Sequence, residues 1–103
     1  MAYKLTVSKE AHNDIDEITG YIVRELSNTQ AAISFLYDIE SSYRYIVKNP
    51  YMYGLCADER LQKEGYHKIP IKNYLVIYRV DEAQRQVFIV RVIYSSRDYE
   101  KLL

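Results

Sequence analysis

The apolar residues of this chain change period at Asn49-Pro50, and that change limits the fold more than any other feature. Ahead of it, Ala11, Ile15, Ile18, Ile22 and Leu26 recur at steps of four and three, the spacing that gathers side chains on one face of a helix. Ser8 offers an N-cap, and Glu10 and Asp14 follow near the positive helix end. Gly20 weakens this helix without breaking it. Ser27-Asn28-Thr29-Gln30 has the S-x-x-Q spacing of a capping box. A second helix is predicted after it, with Ala32, Phe35, Leu36, Ile39, Tyr43 and Ile46 on its apolar side. Proline cannot continue a helical ladder, so this helix stops near Asn49-Pro50. So short a link folds the two helices into an antiparallel hairpin.

Beyond Pro50 the pattern is that of strands. Tyr66–Ile71, Tyr74–Val80 and Val87–Tyr94 are predicted strands, joined by a tight turn at Lys72-Asn73 and a polar turn over Asp81–Gln86. Val87–Ile93 is apolar except for Arg91, which places that strand in the middle of its sheet. A further short strand opens the chain, where Tyr3, Leu5 and Val7 alternate with Lys4 and Thr6. Residues 51–64, with Gly54 and the run Asp58-Glu59-Arg60, read as a loop. Residues 95–103 read as a polar tail with at most one helical turn. The order is β-α-α-β-β-β, an α+β domain over residues 1–103. Its helical hairpin covers one face of a small, mainly antiparallel sheet, and the other face is expected to be free for function.

Composition narrows the function classes. Hydrophobic residues make up 49% of the chain and charged residues 27%, enough for one modest core and typical of a folded soluble protein. No apolar run approaches the roughly 18 residues of a membrane span. The opening residues lack the basic-then-apolar order of a signal peptide. The lone Cys56 has no partner for an internal disulfide, and no Cys/His cluster has metal-ligand spacing. The expectation is a cytoplasmic protein without metal or cofactor.

Net charge is zero, but unevenly distributed. Residues 1–64 hold seven Lys/Arg and ten Asp/Glu, and residues 65–103 hold seven and four. The basic second part suits phosphates or an acidic protein segment, although imbalances of this size are also ordinary. Twelve of the aromatics are tyrosine and two are phenylalanine, a bias that fits half-buried sheet surfaces and wet interfaces.

Several side chains stand out, each with an ordinary alternative. His67 is a candidate acid–base group, or is simply an exposed histidine without a role. Lys68 meets phosphate, or blunts a sheet edge. Arg79 works at a binding surface, or ends a strand in solvent. Arg91, inside an apolar strand, points to a structural ion pair. Arg97 follows the central strand, where a rigid sheet would deliver it to a target. Tyr94 packs or stacks. Asp14 and Asp16 sit two residues apart, on different helix faces, and read as solvated surface rather than a catalytic dyad. Cys56 has no charged setting and reads as inert.

Three stretches carry a family resemblance: the opening strand with Ser8-Lys9-Glu10-Ala11, Tyr74-Leu75-Val76-Ile77-Tyr78-Arg79-Val80-Asp81, and Val90-Arg91-Val92-Ile93-Tyr94-Ser95-Ser96-Arg97-Asp98-Tyr99. In this order and at this size the chain resembles the RelE/ParE toxin superfamily over essentially its whole length. The resemblance implies the toxin of a type II toxin–antitoxin module, of the kind tied to plasmid stabilization, which inhibits growth and is neutralised by a cognate antitoxin. RelE-like members cut mRNA in the ribosomal A site, and ParE-like members act on DNA gyrase. For the ribonuclease reading the resemblance implies catalytic roles for Lys68, Arg97, His67 and Tyr94. For binding to target or antitoxin it implies Arg79, Arg97, Tyr99 and Lys72. RelE-like enzymes carry an arginine where this chain has Leu75 and a second strand lysine where it has Pro70, so the pattern leans to ParE-like gyrase inhibition. Ribosome-dependent mRNA cleavage remains the enzymatic alternative, and a degenerate, non-toxic binding protein of the same fold is the third.

Overall fold

The structure, a computed structural model, describes residues 2–96 and 99–103, with the side chains of Tyr99 and Glu100 outside the description. The elements are β1 (Lys4–Val7), α1 (Lys9–Arg24), α2 (Thr29–Lys48), α3 (Glu59–Lys63), β2 (Tyr66–Ile71), β3 (Tyr74–Asp81) and β4 (Gln86–Tyr94), followed by a 3-10 turn at Tyr99–Leu102. The sheet runs β1-β4-β3-β2. β1 is parallel to β4, and the other neighbours are antiparallel. No described helix is long and apolar enough to cross a membrane.

Ser8 shows why the first helix starts where it does. Its hydroxyl oxygen accepts the Ala11 N–H at 3.0 Å and its O–H donates to the Val90 carbonyl at 2.8 Å. One side chain therefore caps α1 and fastens it to β4 just past the last residue paired with β1. The expected capping box moves by one residue at α2. Asn28, not Ser27, is the cap, and its Oδ1 accepts the Ala31 N–H at 2.9 Å. Ser27 instead takes a left-handed φ of 49°, while the Asn28 N–H reaches back to the Ile22 carbonyl at 3.2 Å. That reversal uses the residue the box would have needed.

The main core lies between the helices and the sheet. Phe35, Ile39 and Ile46 of α2 and Ile22 of α1 pack on Ile69, Ile71, Val76, Tyr78, Val87, Ile89 and Val92. Leu26 and Leu36, expected on the apolar faces, are instead 55% and 41% exposed. Leu26 falls beyond the end of α1, and the contact stripe of α2 runs through Ala32, Phe35 and Ile39. A bulge keeps β4 in phase with this core. Ile77 pairs with Arg91 and Tyr78 with Ile89, leaving Val90 as an extra residue. Val87 and Ile89 before it and Val92 after it all join the core on the helix side, which strict alternation would forbid.

The second face of the sheet is not free, contrary to expectation. Leu75, Ile77 and Ile93 form a second core there with Cys56, Leu61 and Tyr66, and Val90, Leu102 and Leu103 pack against it. Leu61 belongs to α3, inside the stretch read as loop. Asp58 caps that helix by accepting the Leu61 N–H at 3.0 Å. The physical reason is plain: leaving three aliphatic side chains wet would forgo about 1.5–3 kcal/mol apiece.

Candidate functional site

The part of the far face that α3 and the C-terminus leave open lies toward the β3–β4 hairpin. Arg79 is central to it. Its register partners are Tyr66 on β2 and Phe88 on β4, and its guanidinium lies 5.1 Å over the Tyr66 ring centroid, within cation–π range. These three residues, with Val80, Asp81, Glu82 and Val90, line a cleft of about 460 Å³. Lys68 pairs with Ile77, next along the strand from Tyr66, so its half-buried side chain shares this face diagonally with Arg79.

Most other cations of the basic second part are engaged. Arg91 reaches Asp14 through two hydrogen bonds of 2.7 and 3.0 Å, and Asp14 also accepts the Val92 N–H at 3.0 Å. The expected ion pair of Arg91 is therefore present. Its partner is a residue that had been read as solvated surface, a correction that Asp16, which is exposed, does not share. The carboxylate of Asp14 holds the Arg91 guanidinium protonated even more firmly than usual. Lys72 donates to Ser34 Oγ at 2.8 Å and sits 3.9 Å from Asp38. It ties the β2–β3 turn to α2, away from the cleft. Arg85 pairs with Glu82 at 3.2 Å. Lys68 and Arg79 have no described carboxylate in ion-pair contact.

Of the residues named for a ribonuclease, the three described ones, His67, Lys68 and Tyr94, do not converge. His67 is 7% exposed and belongs to the helix side of the sheet. Its Nδ1–H donates to the Tyr53 carbonyl at 2.8 Å, and its ring stacks on Tyr78 with centroids 5.0 Å apart. The reading of His67 as an exposed strand residue is thereby overturned. The chain at Leu55 pairs alongside His67 and closes over it. Tyr94 also lies on the helix side, edge-on to Tyr74 at 5.7 Å. Lys68 is on the opposite face. Arg97 lies outside the described residues, and of Tyr99 only the backbone, in the final 3-10 turn, is described.

Pro70 and Leu75, where RelE-like enzymes carry cations, are direct partners across β2 and β3. Leu75 is 8% exposed and part of the far core. Neither of the two side chains carries a charge. Among the described residues no cluster of three His, Cys, Asp or Glu suits a metal. Sequence reasoning missed Tyr66 and Phe88 as walls of the cleft, although their alternation with the buried Ile69 and Ile89 carried the signal.

A helical hairpin over a mixed four-stranded sheet, with a partly capped far face on which Lys68 and Arg79 meet no carboxylate among the described residues, defines a small α+β domain. The family model described as the ParE toxin of type II toxin–antitoxin system, parDE, matches residues 5–99. The chain belongs to that family. Solved structures agree in fold. The chromosomal ParDE system of P. aeruginosa matches at a TM-score of 0.70 and 17% identity, covering 90% of this chain and 96% of that one. The RelBE2 toxin–antitoxin complex of Mycobacterium tuberculosis matches at 0.60 and 16%, covering 91% and 99%. The intact RelBE complex of E. coli matches at 0.61 and 19%, covering 93% and 100%. No curated protein matches.

Proposed function

We propose that this chain arrests growth by gripping a protein target, DNA gyrase, rather than by cutting RNA, and that a cognate antitoxin silences it. The observation behind this reading is the Pro70–Leu75 pair: both are aliphatic at the two positions where cleavage chemistry calls for cations, and Leu75 is closed into the far core while Pro70 is exposed. The burial of His67 on the other side of the sheet supports the same reading, because a general base has to reach the substrate. Gyrase as the target follows the ParE-like character of the chain. An antitoxin is in keeping with the ParDE and RelBE systems that share the fold. The helical hairpin exposes Val23, Leu26, Ile33, Leu36 and Tyr37, apolar surface that a partner segment would cover, while acidic side chains meet Lys68 and Arg79.

Controlled expression of the chain alone tests this. The expected result is growth arrest with a DNA-damage response and intact mRNA. Codon-linked breaks in ribosome-bound mRNA would replace the proposal with nuclease action. A folded protein that leaves growth untouched would mark a complex-forming relative without toxicity.

A further inference from the structure

On the helix side of the sheet, away from the cleft, Glu17, Ile18, Tyr21, Tyr74 and Tyr94 line an open cavity of about 360 Å³. Three tyrosines reach it from three elements. Tyr74 and Tyr94 are register partners on β3 and β4, their rings 5.7 Å apart and 78° to one another. Tyr74 is fixed from behind by Phe35, edge-on at 5.2 Å. Tyr21 stands one helical turn beyond Glu17. Burial, then the neighbouring Tyr21 and Tyr94 phenols, raise the Tyr74 hydroxyl above its ordinary pKa. A negative charge on the Tyr74 oxygen is therefore unwelcome in this cavity.

Among the described residues, the surroundings on α1 carry surplus negative charge. Glu10, Asp14 and Glu17 of α1 all act on Arg91, but one guanidinium balances only one of them, and Asp14 holds it. Arg24 is the nearest cation along α1, and its guanidinium lies over Gly20 rather than lining the cavity. Aromatic faces carry negative quadrupole potential, and with a carboxylate beside them they select a cation. Half of each of Tyr21 and Tyr94 is exposed. A free amine would leave that apolar surface wet, whereas a polypeptide bearing the cation would cover it.

We propose that the Glu17–Tyr21–Tyr74–Tyr94 cavity is a receptor for a lysine or arginine side chain presented by a partner polypeptide. The site does not depend on which target the toxin acts upon.

The test is an NMR titration of the full chain with the blocked peptide acetyl-Gly-Arg-Gly-amide, against the same peptide with citrulline, which keeps the shape and loses the charge. Saturable shifts of the Tyr21, Tyr74 and Tyr94 ring resonances are expected with the arginine peptide and not with citrulline. Glu17→Gln should weaken binding about three- to tenfold, and Tyr94→Leu should remove the preference for arginine at an unchanged melting temperature. Equal responses to both peptides, or shifts centred elsewhere, would overturn the proposal. So would binding that emerges only in Arg97→Ala, since the chain's own guanidinium would then be the occupant.

Discussion

One carboxylate, that of Asp14, holds both the Arg91 guanidinium and the backbone N–H of the next residue, Val92. The pairing joins the first helix to the central strand across 77 positions of sequence. It sits where β4 has outrun β1 and its outer edge lacks a strand neighbour. Both side chains are mostly shielded, at 13% exposure for Asp14 and 21% for Arg91. Removing one partner of such a pair leaves the other desolvated and alone, so Asp14→Ala should cost about 2–4 kcal/mol. Asp14→Asn keeps an acceptor for Val92 and should cost less. Chemical denaturation of the three proteins checks the order, and equal stabilities would show that the pair contributes nothing net.

His67 behaves as a core residue. His67→Ala would open a cavity beside Tyr78 and leave the Tyr53 carbonyl unpaired, and the expected loss is about 2–4 kcal/mol. His67→Phe retains the stack and loses only the hydrogen bond, roughly 1 kcal/mol. If the histidine has no chemical role, folded His67→Phe arrests growth as the parent does. Loss of arrest at preserved stability would return His67 to the working site.

The elements with a strong repeating pattern were the legible ones. Ile15, Ile18 and Ile22 mark α1, and Phe35, Ile39 and Ile46 mark α2, through spacing alone. The strands after Pro50 emerged the same way. α3 escaped because five residues make barely one turn, too few for a period to register. The second core escaped with it: Cys56, Leu61 and Leu102 reach Leu75 only through tertiary contact. His67 was misjudged because alternation says that residues 67, 69 and 71 share a face but not that the chain at Tyr53–Leu55 closes over the first of them. The Asp14–Arg91 pair spans the whole fold, and no local pattern links its members. The cavity tyrosines were visible as a compositional excess, but not as neighbours.

The β3–β4 hairpin is tied to the start of the chain through Glu82, which accepts hydrogen bonds from the Tyr51 and Tyr3 hydroxyls. These bonds hold the Glu82 carboxyl below its ordinary pKa, with Tyr51 the larger influence and Tyr3 next. A depressed carboxyl contributes stability that is complete above its unfolded pKa and lost as pH falls through the folded one. The same bond, to Glu82, pushes Tyr51 up to about 12. Its contribution is therefore present below the ordinary tyrosine value of 10.0 and lost as pH climbs toward about 12. Glu82→Gln should bring part of the phenolate absorbance titration to lower pH and flatten the acid-side decline in melting temperature. Unchanged curves would show that solvent screening erases the link.

Gly20 sits inside α1, where a glycine weakens the helix by about 1 kcal/mol relative to alanine. A Cβ built there would come within 2.8 Å of the Arg24 guanidinium, and its three nearest neighbours all belong to that mobile end of a long side chain. The guanidinium can swing aside at small cost, so propensity decides the sign. Gly20→Ala should stabilise the protein by roughly 0.5–1 kcal/mol, read by thermal denaturation. A loss of stability would mean that Arg24 is held over the glycine by something it cannot leave.

Lys68 and Arg79 share the open part of the far face without a described carboxylate in contact, so their charges are available to a partner. Truncating either removes little from the fold: Lys68→Ala should fall within about 0.5 kcal/mol of the parent. Arg79→Ala should lose up to roughly 1 kcal/mol with its stack on Tyr66. Their effect on target binding should be larger, about tenfold each if they lie at the centre of the contact. Arg79→Lys separates charge from shape, because an ammonium keeps the long-range attraction but cannot lay a planar guanidinium over the Tyr66 ring. The toxin dose needed for arrest, measured beside the melting temperature, should therefore rise for Arg79→Ala and in part for Arg79→Lys. Full toxicity in a folded Lys68→Ala, Arg79→Ala double variant would move the target interface to another face of the molecule.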